Sequence, residues 1–184
     1  MSSFPVFITG NQNKADYFSR QMGMKIDHVK VDLDELQSTD LHVIVKHKLE
    51  QAYAEVGRPV LVEDVSLVFT ALGELPGPYI KWFVEHAGEE ACCRMLDGFN
   101  DRSAIIRCTF GYYDGERMEF FDSELPGTIS DHPRGENGFG FDTFFINDGY
   151  TITRAEMSQE DNERTYAELM KPFAKVREFL KTIV

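Results

Sequence analysis

Apolar and polar positions in the first part of the chain follow the spacings of strands and helices in alternation. Residues 4–8 are apolar and rich in strand-forming types, and residues 15–22 place apolar side chains at helical spacing. Residues 29–33 alternate as a strand does, whereas residues 41–56 form a long amphipathic pattern that predicts a helix. Residues 60–62 then predict a short buried strand. This alternation indicates an α/β fold.

The middle of the chain predicts two short helices followed by a hairpin. Helical patterns cover residues 79–86 and 89–96. Two strand patterns, residues 104–113 and 117–125, then flank a tight-turn dipeptide at residues 114 and 115, which is aspartate followed by glycine. Because these two strands are joined by a hairpin, we predict a mixed sheet flanked by helices.

The chain ends in a pattern that predicts a long helix over residues 158–183. Ser158 and Asp161 have the spacing of a capping box at its start. Pro172 falls inside the pattern and should kink or split the helix. With no linker and no internal repeat, we predict a single domain over residues 1–184.

The composition argues against two classes of partner. The 184 residues carry a formal net charge of -12, with a pI of about 4.8. A chain this acidic repels a nucleic-acid backbone, so we expect no nucleic-acid partner. The apolar runs are too short for a membrane span, and the first residues lack the pattern of a signal peptide, so we expect no membrane partner.

The cysteines predict a reducing compartment. Cys92, Cys93 and Cys108 make a poor disulfide framework, because two of them are adjacent and their number is odd. Reduced thiols are typical of cytoplasmic proteins. We therefore predict a cytoplasmic location.

A glycine-containing turn joins the first predicted strand to the first predicted helix. Thr9, Gly10 and Asn11 form the turn, and Lys14 follows in the helix. Glycine lets backbone N–H groups approach an anion, the start of a helix adds positive partial charge, and lysine adds a full charge. The pattern predicts a triphosphate-binding turn, although ordinary strand-to-helix turns share it.

Two acids, Glu63 and Asp64, follow the third predicted strand, and Glu35 lies in an earlier acidic loop. The carboxyl end of a strand is where α/β folds place functional groups. Mg²⁺ usually binds one or two carboxylates together with substrate phosphates. Of two adjacent acids, one can hold the metal while the other orients or deprotonates water. A solvated acidic turn is the alternative, and it fits Glu35 better than the adjacent pair.

Two further segments combine glycine or proline with aromatic residues. Residues 75–83 include Lys81, and residues 133–142 include Phe139 and Phe141. Glycines alternating with aromatics predict a flexible loop that can lay a ring against a flat base. A proline-stiffened turn and a packed surface loop are the alternatives for the two segments.

Taken in this order, the segments at residues 9–14, 61–64, 71–83 and 133–142 resemble the inosine-triphosphatase family, also called Ham1. The likeness runs from Val6 to about Met157, and the proline-containing stretch is similar to the eukaryotic branch. It implies an elongated α/β fold with two lobes around a deep central cleft, and a homodimer. It also implies Mg²⁺- or Mn²⁺-dependent hydrolysis of a nucleoside triphosphate to the monophosphate and pyrophosphate, with deaminated purine nucleotides such as ITP, dITP and XTP as substrates.

The resemblance also implies a role for each matching residue. Asp64 would be a metal ligand and the proton acceptor, Glu63 a second catalytic acid, and Glu35 the other metal ligand. Lys48 would bind phosphate, although the nearby Lys46 could be confused with it. The remaining substrate contacts would be Thr9, Gly10, Asn11, Lys14, Lys81, Phe139, Gly140, Phe141 and Asp142.

The chain departs from the family pattern after Met157, where the family has a lysine and later a Ser-His-Arg triplet that read the oxygens of the purine. A gapless register places Asn162 at the lysine and Tyr166 at the first triplet position, so both are expected substrate contacts. A register slipped by one residue would place residues 165–167 at the triplet, and neither register restores the histidine and arginine. Arg164 could compensate in part for the lost cations. Because an amide can accept hydrogen bonds from amino groups, the base preference is open.

Three functions therefore stay open. The first is hydrolysis of ITP and XTP through substitute base contacts. The second is the same chemistry on another base that bears an amino group or a modification. The third is nucleotide binding without catalysis.

Overall fold

The computed structural model describes residues 4–183. Its strands are β1 (Val6–Ile8), β2 (His28–Val29), β3 (Val60–Phe69), β4 (Pro76–Gly77), β5 (Ser103–Tyr113), β6 (Met118–Ile129) and β7 (Phe145–Asn147). Its helices are α1 (Gln12–Met22), α2 (Leu41–Val56), α3 (Ile80–Ala87), α4 (Glu89–Arg94), α5 (Gln159–Thr165) and α6 (Phe173–Thr182). Along the same residues, no helix combines the length and the apolar character needed to cross a membrane.

The strands form an open mixed sheet. Their order is β2-β1-β3-β5-β6-β7, and β4 pairs with β3 outside this path. β1 runs parallel to both β2 and β3, in a register that places Val6 opposite Val60. β4 is antiparallel to β3, and β7 is antiparallel to β6. The predicted α/β fold with a mixed sheet flanked by helices is confirmed.

β3 is longer than its hydrophobic pattern predicts, and this changes the setting of the two acids. The strand continues from Val60 to Phe69, so Glu63 and Asp64 lie in its interior and not at its end. Each carboxylate has a lysine partner. The free-energy cost of burying a carboxylate is much lower when it is paired with a cation than when it is isolated. The strand can therefore continue through the two acids.

β2 is shorter than predicted. The strand pattern of residues 29–33 becomes a strand only at His28–Val29, and residues 30–40 form neither helix nor strand. Leu33 packs instead, partly buried, against the apolar cluster that α2 forms with β1 and β3. The alternating pattern was misleading here because an apolar side chain of a loop can pack against a hydrophobic cluster without belonging to a strand.

The closing segment splits as Pro172 predicts. Ser158 caps α5 by accepting a hydrogen bond from the backbone N of Asp161 at 3.1 Å, which confirms the predicted start. A π-helical segment, Tyr166–Met170, follows α5, and α6 begins after Pro172. The predicted single helix is therefore two α-helices separated by a π-helical segment.

Packing divides the described residues into two compact units. Unit 1 comprises residues 4–64, 108–122 and 171–183, and unit 2 comprises residues 65–107 and 123–170. The predictions of one domain and of two lobes around a cleft stay predictions.

Unit 1 buries apolar side chains on both faces of its part of the sheet. On one face, α2 packs against β1 and β3 through Val6, Val45, Leu49, Ala52, Val60 and Val62. On the other face, Phe7 lies 4.7 Å between ring centroids from Phe18 of α1, and Phe110 lies 5.7 Å from Phe173 of α6. The alternation of β1 explains this division, since successive side chains of a strand point to opposite faces.

Unit 2 has its own apolar core. The core joins strand residues to α4 and to the π-helical segment. Its buried members are Leu67, Phe69, Ile80, Cys92, Cys93, Leu96, Ala104, Ile106, Leu125, Ile129, Phe144, Phe145 and Met170.

Gly111 of β5 lies where α2 approaches the sheet. A Cβ at this position would stand 2.5 Å from Cγ1 of Val45 and 2.7 Å from Cδ1 of Leu49. Gly111→Ala should push the helix away from the strand and lower the free energy of unfolding by about 1–3 kcal/mol. Urea denaturation measures this loss.

Gly98→Ala is the matched control, because a Cβ at Gly98 meets nothing within 4 Å. This variant should be as stable as the wild type. If the two variants were equally stable, the close approach of α2 at Gly111 would be contradicted.

Candidate active site

The turn after β1 leads into a capped helix start. The Asn11 side chain accepts a hydrogen bond from the backbone N of Lys14 at 3.1 Å, and its own backbone N donates to Oγ1 of Thr9 at 3.2 Å. The first turn of α1 holds no acidic residue, so the positive partial charge of the helix start is not offset there. The turn is therefore suited to an anion.

Gly10 lets a further lysine lie against this turn. A Cβ on Gly10 would stand 3.0 Å from Cδ of Lys30, so the aliphatic stem of Lys30 covers the glycine. The parallel pairing of β1 with β2 brings residues 10 and 30 together, because it sets Ile8 opposite Val29. Lys30 is exposed, and its cation adds to the positive charge near the turn.

Glu63 is a buried carboxylate shared by two lysines. Its side chain is only 3% exposed, and one of its oxygens lies 3.4 Å from Nζ of Lys14. The other oxygen accepts a hydrogen bond from Lys171, whose side chain is 1% exposed. Two cations and one anion leave this group with a net charge of +1, in a chain whose overall charge is -12.

The two lysines keep Glu63 ionised. Burial by itself would raise the pKa of the Glu63 carboxyl, but the charges and hydrogen bonds of Lys14 and Lys171 outweigh it and lower that pKa to about 2. Burial raises the pKa of the neighbouring Cys108 thiol to about 12, so the thiol stays neutral 3.6 Å from Lys171. Closed to solvent and bound on both sides, Glu63 is placed to hold Lys14 in position.

Asp64 makes a separate ion pair with Lys48 of α2. Its Oδ2 lies 2.5 Å from Nζ of Lys48, and the two side chains remain 18% and 19% exposed. Asp64 follows the alternation of Val60 and Val62 and points toward α2, whereas Glu63 points to the opposite face of β3. The adjacent acids therefore do not form a joint carboxylate pair.

Lys46, the alternative to Lys48, is exposed and lies 3.9 Å from Glu50 on the outer surface of α2. The structure therefore brings Lys48, and not Lys46, to the carboxylate of Asp64.

The loop that carries Glu35 is tied to the same helix. The backbone N of Asp34 donates to Oε1 of Gln51 at 3.0 Å, and Nε2 of Gln51 donates to Oδ2 of Asp34 at 2.8 Å. Gln51 lies three residues after Lys48, so the two share a face of α2. Glu35 itself is exposed. Over residues 4–183, no group of three or more His, Cys, Asp or Glu side chains is arranged to hold a metal ion.

In unit 2, the loop of residues 133–142 exposes one aromatic ring to solvent. Phe139 is 75% exposed, whereas Phe141 is half-buried and packs against the core of the unit. Gly140 begins a short 3₁₀ turn that also contains Phe141 and Asp142, and Phe139 directly precedes it. Of the two predicted rings, Phe139 is therefore the one available to stack on a base.

Asp142 holds the loop in shape. It is buried, and its Oδ2 accepts a hydrogen bond from the backbone N of Phe139 at 3.2 Å. Gly138 adopts φ 81°, and a Cβ there would stand 2.4 Å from the same oxygen. Glycine is thus required at position 138 both by its backbone conformation and by the space that Asp142 occupies.

Arg154 joins Asp142 to α5 in the interior of unit 2. Its side chain is 0% exposed, its Nε donates to Oδ1 of Asp142 at 2.8 Å, and its NH2 donates to Oδ1 of Asn162 at 2.6 Å. Two predicted base contacts, Asp142 and Asn162, are therefore bound to one guanidinium.

The other predicted substrate contacts of unit 2 lie elsewhere in it. Tyr166 begins the π-helical segment, and its ring packs against the unit 2 core. Lys81 is exposed on α3, with its Nζ 5.8 Å from the centroid of the Trp82 ring. Arg164 is exposed and pairs with Asp161 at 3.1 Å, so its cation is engaged at the surface of α5.

Two residues of the candidate site, Lys171 and Arg154, are difficult or impossible to identify from the sequence pattern alone. Lys171 stands in the apolar run from Met170 to Phe173, and a charged residue in such a run is a signal for a buried ion pair. Arg154 does not interrupt any periodic pattern of apolar residues, so only the structure shows that it is buried and hydrogen-bonded to other residues of the site.

A glycine turn at a helix start, with lysines and strand-borne carboxylates on an open mixed sheet, is typical of α/β proteins that bind phosphorylated ligands. Residues 5–170 match the Ham1 family. The chain belongs to this family, as its motifs predict.

Two relatives and one solved structure show how closely the chain follows the family. It is 43% identical over 182 residues to the inosine triphosphate pyrophosphatase of Batrachochytrium dendrobatidis, covering 96% of this chain and 94% of the relative. It is 41% identical over 180 residues to the enzyme of the same name from Yarrowia lipolytica, covering 95% and 94%. The Ham1 protein of Staphylococcus aureus has the same fold, with a TM-score of 0.83 at 23% identity over 96% of this chain and 97% of that one.

Glu63→Gln should weaken the fold most near neutral pH. The pKa of Glu63 falls from 4.5 to about 2 on folding, so the unfolded chain binds this proton more tightly. The stabilisation is present above about pH 4.5 and is lost as the pH falls toward 2. At about 1.4 kcal/mol per pKa unit it amounts to roughly 3 kcal/mol. Urea unfolding of the wild type and of Glu63→Gln should show a difference in the free energy of unfolding that becomes smaller as the pH falls.

Glu55→Gln, at an exposed position of α2, is the control and should leave the unfolding free energy unchanged across this pH range. A destabilisation by Glu63→Gln that stayed constant down to about pH 2 would mean that the carboxylate charge is not what stabilises the site.

Proposed function

We propose that this chain hydrolyses nucleoside triphosphates to nucleoside monophosphates and pyrophosphate, with deaminated purine nucleotides such as ITP, dITP and XTP as substrates. The observation that carries the proposal is the partly exposed ion pair between Lys48 of α2 and Asp64 of β3. β3 pairs with β1, the strand that leads into the anion-suited turn of Thr9, Gly10 and Asn11. Two relatives with 43% and 41% identity, each named inosine triphosphate pyrophosphatase, support it.

The phosphates are assigned to unit 1. The turn at residues 9–11 offers backbone N–H groups and the positive end of α1, and Lys14 adds a full charge held in place by Glu63. Lys48 has three ammonium donors, so it can contact Asp64 and a phosphate oxygen at once. These groups would offset the negative charge that builds up on the leaving pyrophosphate.

Asp64 is assigned as the proton acceptor. It is the more accessible of the two acids of β3, with 18% exposure against 3% for Glu63. A carboxylate in that position can take a proton from a water molecule as the water attacks the α-phosphorus. Glu63 then acts through Lys14, as a positioning residue rather than as a second base.

The donor set of unit 1 fits a divalent cation that arrives with the triphosphate. Asp64 and Glu35 offer carboxylate oxygens, and Mg²⁺ is usually held by one or two carboxylates together with substrate phosphates. Glu35 is supported by the loop that Asp34 and Gln51 tie to α2. When bound, Mg²⁺ or Mn²⁺ would neutralise phosphate charge.

The base is assigned to unit 2. The exposed ring of Phe139 can stack on a purine. Asp142 and Asn162 both bind the guanidinium of Arg154, and Asp142 also binds the backbone N of Phe139. The remaining substrate contacts of this unit are proposed on the family resemblance alone: Lys81, Gly140, Phe141 and Tyr166.

Two further properties are proposed on weaker support. The cysteines Cys92, Cys93 and Cys108 are all buried and free of disulfides, which suits a reducing compartment such as the cytoplasm. A homodimer is proposed from the family resemblance.

The first test is pyrophosphate release with Mg²⁺ across ITP, XTP, dITP, the four standard NTPs and dNTPs, and several modified nucleotides. We expect release with ITP or XTP preferred, and loss of release when EDTA removes the metal. A clear preference for another base would assign the same chemistry to a different substrate. Absence of release from every nucleotide would favour a binding protein without catalysis.

Asp64→Asn should strongly reduce catalysis without unfolding the protein. The amide keeps the shape of the side chain but neither accepts a proton well nor binds a hard cation strongly, so we expect kcat to fall by about 10²–10³-fold. Pyrophosphate release from ITP measures the loss.

Asp27→Asn makes the same chemical change at an exposed position, where the carboxylate lies 3.6 Å from Arg58, and should leave kcat unchanged. If Asp64→Asn were as active as this control, Asp64 would have no part in the reaction.

A further inference from the structure

Arg154 is a buried cation whose partners include two residues assigned to the base. Its side chain is 0% exposed, and each of its guanidinium nitrogens has an acceptor. Nε donates to Asp142 at 2.8 Å, and NH2 donates to Asn162 at 2.6 Å. NH1 lies 3.4 Å from both Oδ1 of Asn147 and Oγ1 of Thr165.

Such a cation is costly to bury unless its partners are well placed. Asp142 supplies one negative charge, so the network is electrically balanced, and the planar fork of the guanidinium fixes the directions of its hydrogen bonds. The partners therefore have little freedom to rotate. Asp142 in turn binds the backbone N of Phe139, so the network is connected to the exposed ring.

The orientation of the Asn162 amide follows from this network. A guanidinium only donates hydrogen bonds, so the atom of Asn162 that faces Arg154 must be the carbonyl oxygen. The Nδ2 group must then point away from Arg154. Asn162 is half-buried, and the end of its amide that points away from Arg154 offers two donor hydrogens and no acceptor.

We propose that Arg154 is a positioning residue that turns the amide of Asn162 so that Nδ2 donates a hydrogen bond to the keto oxygen of a purine stacked on Phe139. An amide would otherwise be neutral between keto and amino bases, since rotation exchanges its donor for its acceptor. Held by Arg154, it selects the keto oxygen of hypoxanthine or xanthine and rejects the 6-amino group of adenine. This role rests on the proposed function.

The test compares ITP with ATP, which differ at the 6-position of the base. The readout is the ratio of kcat/KM for ITP to kcat/KM for ATP. Asn162→Asp keeps the shape of the side chain and its bond to Arg154 but replaces the donor end with a second acceptor. We expect this ratio to fall by about tenfold or more, through weaker ITP and stronger ATP turnover.

Asn100→Asp is the matched control. It introduces the same charge at an exposed position in the turn before β5 and should leave the ratio unchanged. An Asn162→Asp ratio within about twofold of the wild type would overturn the proposal, since the donor would then play no part in discrimination. A wild-type enzyme that turned over ATP as well as ITP would overturn it too.

Arg154→Lys separates positioning from packing. An ammonium keeps a positive charge beside Asp142, but it lacks the fork that binds Asp142 and Asn162 in fixed directions. If Arg154 positions the amide, the ITP-to-ATP ratio should fall. If Arg154 only stabilises the unit, both substrates should lose activity equally, and the unchanged ratio would overturn its assigned role.

Binding distinguishes a failure of this inference from a failure of the proposed function. Calorimetry with IMP and AMP measures base preference without turnover. A wild-type protein that released no pyrophosphate would refute the proposed reaction, while preference for IMP that Asn162→Asp removes would still support the inference. Equal binding of IMP and AMP by the wild type would refute the inference alone.

Discussion

The carboxylate of Glu63, shared by two lysines, is the interaction on which the arrangement of unit 1 beside the turn at residues 9–11 depends. It lies inside unit 1, where an unpaired charge would be costly, and Lys14 and Lys171 make its ionised form the stable one. The same contacts tie β3 to α1 and to the start of α6. Lys14 is thereby held near the capped turn, and the strand continues through two acidic residues to carry Asp64 toward α2.

The different surroundings of Glu63 and Asp64 are a consequence of strand geometry. Successive side chains of β3 point to opposite faces, so Glu63 meets the lysines of one face and Asp64 meets Lys48 on the other. One acid is closed to solvent and can only organise its neighbours. The other is accessible and suits proton transfer. Two residues that are adjacent in sequence thus have different surroundings, and this difference is the basis of the different roles proposed for them.

A buried charge organises unit 2 in a comparable way. Arg154 directs Asp142 and Asn162, and Asp142 shapes the loop that exposes Phe139. Networks of this kind hold polar groups in a single orientation, because every alternative leaves a buried donor or acceptor without a partner. After Met157 the chain lacks the lysine and the Ser-His-Arg triplet that the family resemblance implies, and the proposed role of Arg154 would provide selectivity for a keto oxygen through an amide.

The sequence by itself determined the α/β class, the bounds of α2, the capped start of α5 and the family, because periodicity, capping and ordered motifs are local properties of the chain. It did not predict the full length of β3 or the short β2, where tertiary partners overrode the local pattern. Only the tertiary structure brought Lys171 to Glu63 and Arg154 to Asn162. The physical reason is that a buried charge is defined by its neighbours in space, and those neighbours are up to 108 residues away along the chain.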